Sequence, residues 1–236
     1  MQKKLRTELE FPAPESAGAV SAILIVPPGA RLLYVLAHGA GAGMRHPFME
    51  AIAEELSEHS IATFRYQFPY MQARSRRPDP APILEATVRS AISEAVQALP
   101  GVPLVAGGKS MGGRMTSQAV SKKPLPGLQG LIFLGFPLHP PGRPGTERAD
   151  HLAAVGIPML FLQGTRDELA DLTLLRAVCD RLGKNATLHV VDGADHSFKV
   201  LKRTGRSEPD ILRELSRAVS RWALDSGLLE GEPRAP

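Results

Sequence analysis

Short apolar runs rich in Val, Ile and Leu alternate along this chain with longer segments of helical period, and Gly or Pro clusters separate the two. Parallel strands need a helical crossover between them, so this alternation points to βα units around a mostly parallel sheet. Strands are expected at 5–11, 19–26, 31–37, 60–66, 102–106, 130–135, 158–163 and 186–191, and helices at 47–59, 82–99, 111–122, 169–182 and 209–224. The first three strands follow one another through Pro- and Gly-rich turns with no helix between them, so the N-terminal edge is expected to be an antiparallel meander. The remainder reads as doubly wound, an eight-stranded α/β sheet with helices on both faces. Pro47, Pro82 and Pro209 stand where prolines start helices.

The chain has 236 residues, no internal repeat and no linker long enough to divide it, so a single domain over 1–236 is expected, with a flexible tail from about 226. The apolar stretches 32–37 and 157–162 are far shorter than the roughly 20 residues that cross a bilayer. The N-terminal segment lacks the apolar core of a secretory signal. Cys179 is the only cysteine, which excludes an intrachain disulfide and a multi-Cys zinc site; a soluble protein of the cytoplasm is expected. His46, His59, His139, His151 and His189 show no ligand spacing, so no metal is expected. A net charge of +4 does not by itself imply a nucleic-acid partner, and nothing in the pattern fixes an oligomeric state.

The segment from Val102 to Arg114 carries the strongest chemical signal. Read as GxSxG, it puts Gly108 and Gly112 two residues either side of Ser110, after a strand and before a helix, the context a nucleophile elbow requires. The glycines let the serine occupy a tight turn, and the helix start beneath it favours developing negative charge. A P-loop reading fails because its first glycine would be at position 103, which is Pro103. A dinucleotide fingerprint in HisGlyAlaGlyAlaGly at 38–43 fails because its third glycine would be at 44 or 46, which are Met44 and His46.

A nucleophilic serine needs a general base, a group that orients the base, and donors for the oxyanion. Asp167 follows the seventh strand and His196 follows the eighth, giving the chain order Ser110, Asp167, His196. Glu168, Asp171 and Asp192 compete for the acid: Asp192 is too close to its strand end and Asp171 is expected inside a helix. Asp195 reads as a solvated neighbour of the histidine. The third strand leads into His38 and Gly39, so the backbone N–H groups of Ala40 and Met111 are the expected oxyanion donors. His38 is expected to brace that turn.

HisGlyAlaGly at 38–41, GlyGlyLysSerMetGlyGlyArg at 107–114, GlnGlyThrArgAsp at 163–167 and AspHisSerPhe at 195–198 resemble the α/β-hydrolase superfamily, in its small dienelactone-hydrolase-like branch. The first two motifs look most like the subgroup of testis-expressed and nonspecific-lethal-complex hydrolase-like proteins. The resemblance covers nearly the whole chain and implies a serine hydrolase without cofactor, although the subgroup also includes chromatin-complex subunits. Dienelactone hydrolases use a cysteine nucleophile, whereas Ser110 stands here, so lactone specificity is not carried over.

Two irregular stretches, 67–81 and 136–155, are long enough to be functional. In 65–78, Arg65, Arg74, Arg76 and Arg77 mix with Tyr66, Phe68 and Tyr70, a pattern that can bind anions or merely tuck its rings onto the domain. With Lys109, Arg45, Arg114 and Arg166 near the same edge, the mouth is expected to be positive and to favour anionic acyl substrates. The stretch 136–156 is too short and too rich in Pro and Gly for a cap domain. His38, Gly39, Lys109, Arg74, Pro137 and Leu138 are the expected substrate-binding residues. The function expected is hydrolysis of small carboxylic esters or thioesters through an acyl-enzyme on Ser110. The alternative is a binding or scaffold protein that keeps the fold and uses its basic surface.

Overall fold

A computed structural model describes residues 3–13, 18–75 and 77–229. The strands are β1 (Leu5–Pro12), β2 (Ala19–Val26), β3 (Leu32–Ala37), β4 (Ile61–Tyr66), β5 (Leu104–Lys109), β6 (Leu128–Leu134), β7 (Met159–Gly164) and β8 (Ala186–Val191). They form one eight-stranded sheet in the order β1-β2-β4-β3-β5-β6-β7-β8. The helices are α1 (Pro47–Ser57), α2 (Pro69–Gln72), α3 (Ala81–Ala98), α4 (Met111–Lys122), α5 (Leu172–Leu182) and α6 (Glu208–Asp225).

The expected three-strand meander holds only for its first pair. β1 and β2 are antiparallel, but β2 then pairs antiparallel with β4, while β3 lies parallel between β4 and β5. The reason is burial: LeuLeuTyrValLeuAla in β3 is buried at every position, which suits a strand covered on both faces and not one near an edge. β1, by contrast, is exposed along most of its length, as an edge strand can be.

Side chains alternate across the sheet and build a core on each face. Val35, Phe64, Ala106, Phe133 and Phe161 point to one side, where α3, α4 and α5 add Val88, Ala119 and Leu175. Tyr34, Leu36, Val105, Ile132 and Leu160 point to the other, covered by Ile52 of α1 and by Leu215, Val219 and Trp222 of α6. Each fully buried Val, Leu, Ile or Phe side chain contributes about 1.5–3 kcal/mol of transfer free energy, so the two layers fix the helices against the sheet. The carboxyl ends of β3 to β8 then open onto a common edge.

Prolines lie in the first turns of α1, α3 and α6, as expected. α5 starts later than expected, because Asp171 caps it from outside: its side chain accepts the N–H groups of Thr173 and Leu174. β5 runs on past Ala106 to Lys109, so Ser110 is the first residue beyond the strand. Between β6 and β7 the chain holds a short 3-10 helix, Glu147–Ala154, packed on α4 and α5, with no cap domain. Of the tail expected from 226, Leu229 is buried in the core and the residues from 230 onward lie outside the described part, as does Arg76.

Candidate active site

β5 hands over to α4 at Ser110, whose φ of 50° and ψ of −116° place a non-glycine residue in a costly conformation. The turn is held by hydrogen bonds: Ser110 N–H donates to Leu134 O at 3.1 Å, and Arg114 N–H donates to Ser110 O at 3.1 Å. Its flanking glycines are needed for close approach. A Cβ on Gly108 would lie 2.2 Å from Ala37 O, and one on Gly112 would lie 2.6 Å from His38 O, so any larger residue would push β5 and α4 away from β3.

Ser110, His196 and Asp167 form one hydrogen-bonded chain. His196 Nδ1 lies 2.7 Å from Asp167 Oδ2, and His196 Nε2 lies 2.8 Å from Ser110 Oγ. The ionised carboxylate can only accept, so the ring proton sits on Nδ1, and Nε2 is left to accept from the serine hydroxyl. Asp167 is buried, and its other oxygen accepts the N–H of Leu169 at 2.8 Å. The competing acids stand apart: Asp171 caps α5, Asp192 Oδ1 lies 3.4 Å from the Thr165 hydroxyl, and Asp195 accepts the N–H groups of Ser197 and Lys199 within its own loop.

The loop after β3 is held from behind by the segment the sequence marked as basic and aromatic. His38 Nδ1–H donates to Gly39 O at 2.8 Å, while its Nε2 accepts the N–H of Phe68 at 3.1 Å. Both bonds require a neutral ring, and burial pulls the His38 pKa down to about 4. In a trans peptide C=O and N–H point in opposite directions, so fixing the Gly39 carbonyl also fixes the direction of the Ala40 N–H. Arg65 Nη1 donates to Met44 O at 2.9 Å, Gln67 Oε1 accepts the Met44 N–H at 2.8 Å, and the Tyr70 hydroxyl accepts from Gly41 N–H at 3.2 Å. Tyr66, Phe68, Tyr70 and Arg65 are all buried. The rings are therefore core, and this segment is a bracket for the loop.

A cleft of about 370 Å³ opens over Ser110, lined by Gly39, Ala40, Ala42, His46, Phe48, Met49, Lys109, Leu169, His196 and Ser197. Neither the Ala40 nor the Met111 N–H has a hydrogen-bond acceptor among the described residues; Met111 begins α4, where N–H groups have no partner within the helix. Of the expected substrate contacts, Gly39 and Lys109 line the cleft. His38 is buried behind it, and Leu138 and Pro137 are buried away from it, Leu138 in the core. Arg74 is exposed outside the lining, at the end of α2. Arg45 pairs with Glu8, and Arg166 donates to Gly193 O, so these arginines are engaged elsewhere.

Two residue sets carried no sequence signal. Gln163, fully buried, donates from Nε2 to Asp167 Oδ2 at 2.5 Å and accepts the Phe136 N–H at 2.9 Å. On the far part of α4, Ser117 Oγ donates to Arg114 O and lies 2.8 Å from His151 Nε2. That pair is a brace: Ser117 is buried, and His151 anchors the 3-10 helix that stands where a lid could have been inserted. Among the described residues no group of three or more His, Cys, Asp or Glu side chains is arranged to hold a metal ion, and no helix is long and apolar enough to cross a membrane.

Solved structures share this architecture end to end. A dienelactone hydrolase from Anabaena variabilis ATCC 29413 superposes with a TM-score of 0.73 at 19% identity, covering 95% of this chain and 99% of its own. A lidless α/β serine hydrolase from Xanthomonas campestris gives 0.73 at 20% identity, with 99% of both chains covered. Est1E from Butyrivibrio proteoclasticus gives 0.69 at 18% identity, covering 93% of this chain and 98% of its own. At the level of sequence, the family model described as an alpha/beta hydrolase domain matches residues 30–224. The chain belongs to the α/β-hydrolase family.

Proposed function

We propose that this protein is a serine hydrolase that cleaves small carboxylic esters or thioesters through an acyl-enzyme on Ser110. The observation that carries the reading is the unbroken chain from Asp167 through His196 to Ser110, at 2.7 and 2.8 Å, on the floor of an open cleft. Ser110 Oγ attacks the carbonyl carbon while His196 Nε2 takes its proton; Asp167 holds the ring in the required tautomer. The oxyanion that forms is received by the N–H groups of Ala40 and Met111. His196 then gives the proton to the departing alcohol or thiol, and a water molecule activated by the same nitrogen releases the acid.

The cleft walls argue for a short acyl group. Ala42, Phe48, Met49 and Leu169 supply apolar surface, and about 370 Å³ lies at the small end of ligand pockets. With Arg45 and Arg166 engaged elsewhere, Lys109 and His46 are the basic residues left lining the cleft, and Lys109 already donates to a backbone carbonyl, so an anionic preference has little support. The finer kinship with testis-expressed and nonspecific-lethal-complex hydrolase-like proteins rests on the motifs at 38–41 and 107–114.

A fluorophosphonate probe tests the reading. Wild type is expected to be labelled and Ser110→Ala is not; a folded wild type that resists labelling overturns it and favours a binding role. A panel of esters with acyl length and charge varied independently then fixes the substrate. Equal turnover of neutral and carboxylated esters of one length counts against an anionic preference.

A further inference from the structure

Lys109 is the last residue of β5, next to Ser110, yet its ammonium reaches the loop after β8. Nζ donates to the backbone carbonyl of His196 at 2.5 Å and stands 5.5 Å from the centre of the Phe198 ring. That ring is itself stacked on Phe48 of α1 at 5.7 Å with an interplanar angle of 9°. The route passes over Gly135, just beyond β6: a Cβ there would lie 3.1 Å from Lys109 Nζ, 3.5 Å from Asp167 Oδ2 and 3.5 Å from His196 Cε1. Three charged or titratable side chains thus converge over one residue that has no side chain.

We infer that Lys109 is a positioning residue for His196, an internal cation that ties the histidine loop to the strand end carrying Ser110, and not a receptor for a substrate anion. The inference rests on the hydrolase reading of Ser110. The loop it holds is a tight one: Phe198 has a φ of 61°, and Asp195 N–H donates to Lys199 O at 2.9 Å. Ser110 follows β5 and His196 follows β8, with β6 and β7 between them. The Lys109 to His196 bond is a direct link between the two carriers besides the Ser110 to His196 contact itself.

The charge on Nζ depends on pH. The groups facing Nζ are Asp167 and Asp195, which hold the ammonium protonated against its burial, and His196; His46 lines the same cleft from the start of α1. Burial pulls the Lys109 pKa itself down to about 8, so the cation is present through neutral pH and lost in mild alkali.

The experiment compares wild type with Lys109→Met on a neutral ester and on its carboxylated analogue of equal length. Positioning predicts that kcat falls about 10- to 100-fold on both substrates alike, the cost of a displaced catalytic group, with KM little changed. A loss confined to the carboxylated ester means an anion receptor and overturns the inference. A rise in KM with kcat unchanged means a binding role and also overturns it. The His196 ring signals of wild type, followed by NMR against pH, give a readout that survives poor folding of the variant: an inflection near pH 8, where Lys109 loses its charge, supports the coupling, and its absence overturns it. If wild type also resists the fluorophosphonate, the hydrolase reading has failed, while the NMR titration still decides whether Lys109 is coupled to His196.

Discussion

Gln163 Nε2 lies 2.5 Å from Asp167 Oδ2, the same oxygen that receives the His196 ring. The far end of the amide is fixed as well, since Gln163 Oε1 accepts the Phe136 N–H. A strand-end residue thus sets the position of the acid, and through it the tilt of the imidazole. Gln163→Leu removes this donor and also leaves a buried N–H unpaired. Each lost partner costs about 1–3 kcal/mol, so a lower urea midpoint is expected together with a fall in kcat. If kcat on a small ester stays at the wild-type value in the folded variant, the amide has no part in holding Asp167.

Ser110 sits at φ 50° in a turn where glycine would be unstrained. Ser110→Gly is therefore expected to abolish hydrolysis and fluorophosphonate labelling while raising stability by about 1 kcal/mol, the strain that the turn stores at the proposed nucleophile. Thermal unfolding checks this against Ser110→Ala, which keeps a Cβ and gains less. A Ser110→Gly melting temperature below that of Ser110→Ala contradicts a strained elbow.

The contrast between Ser110 and Gln163 shows which parts of the site could be read in advance. Ser110, Asp167 and His196 were legible because a turn, a strand end and a chain order each restrict the residue type that fits. Gln163 was not, because an amide at a strand end belongs to no motif, and its role exists only once β6 and β7 lie side by side. Strand order was lost for a similar reason. The apolar run of β3 told of burial on both faces, but its neighbours β4 and β5 are a tertiary choice. In 65–70, composition alone could not tell rings that face a ligand from rings that face the core. Leu138 misled in the same way: it is near Ser110 in the expected topology but turned into the core.

His38 makes stability depend on pH. Its ring is buried and neutral, with a pKa near 4 in the folded state against about 6.5 in an unfolded chain. Between those values the unfolded state binds more protons, so stability is fully present above pH 6.5 and is lost as pH falls toward 4. The shift corresponds to about 3 kcal/mol at most. His151, also pulled down to about 4 by burial and by Arg114, acts in the same direction. Urea midpoints of wild type at pH 7, 5.5 and 4 are expected to decline, and those of His38→Gln to decline less. Parallel curves for the two proteins would remove His38 from the account.

Gly135 offers the most selective test of how the site is assembled. It has a φ of 73°, and a Cβ added there would meet Lys109, Asp167 and His196 together. Gly142 has nearly the same φ, 67°, and a Cβ there meets nothing within 4 Å. Alanine at either position carries the same kind of backbone strain, about 1 kcal/mol, so the two variants should lose similar stability from that source. Only Gly135→Ala also brings a methyl group to 3.1 Å from the ammonium, which must give by a few tenths of an ångström, and into ordinary contact at 3.5 Å with the carboxylate and the imidazole. Lys109 Nζ donates to His196 O, so a shift of the ammonium is passed to the histidine loop and from there to Ser110. Gly135→Ala is therefore expected to lose kcat at least about tenfold, with Gly142→Ala keeping it, in single-ester assays run alongside thermal unfolding. Equal activities in the two variants would mean that the space over Gly135 is not what brings Lys109, Asp167 and His196 together.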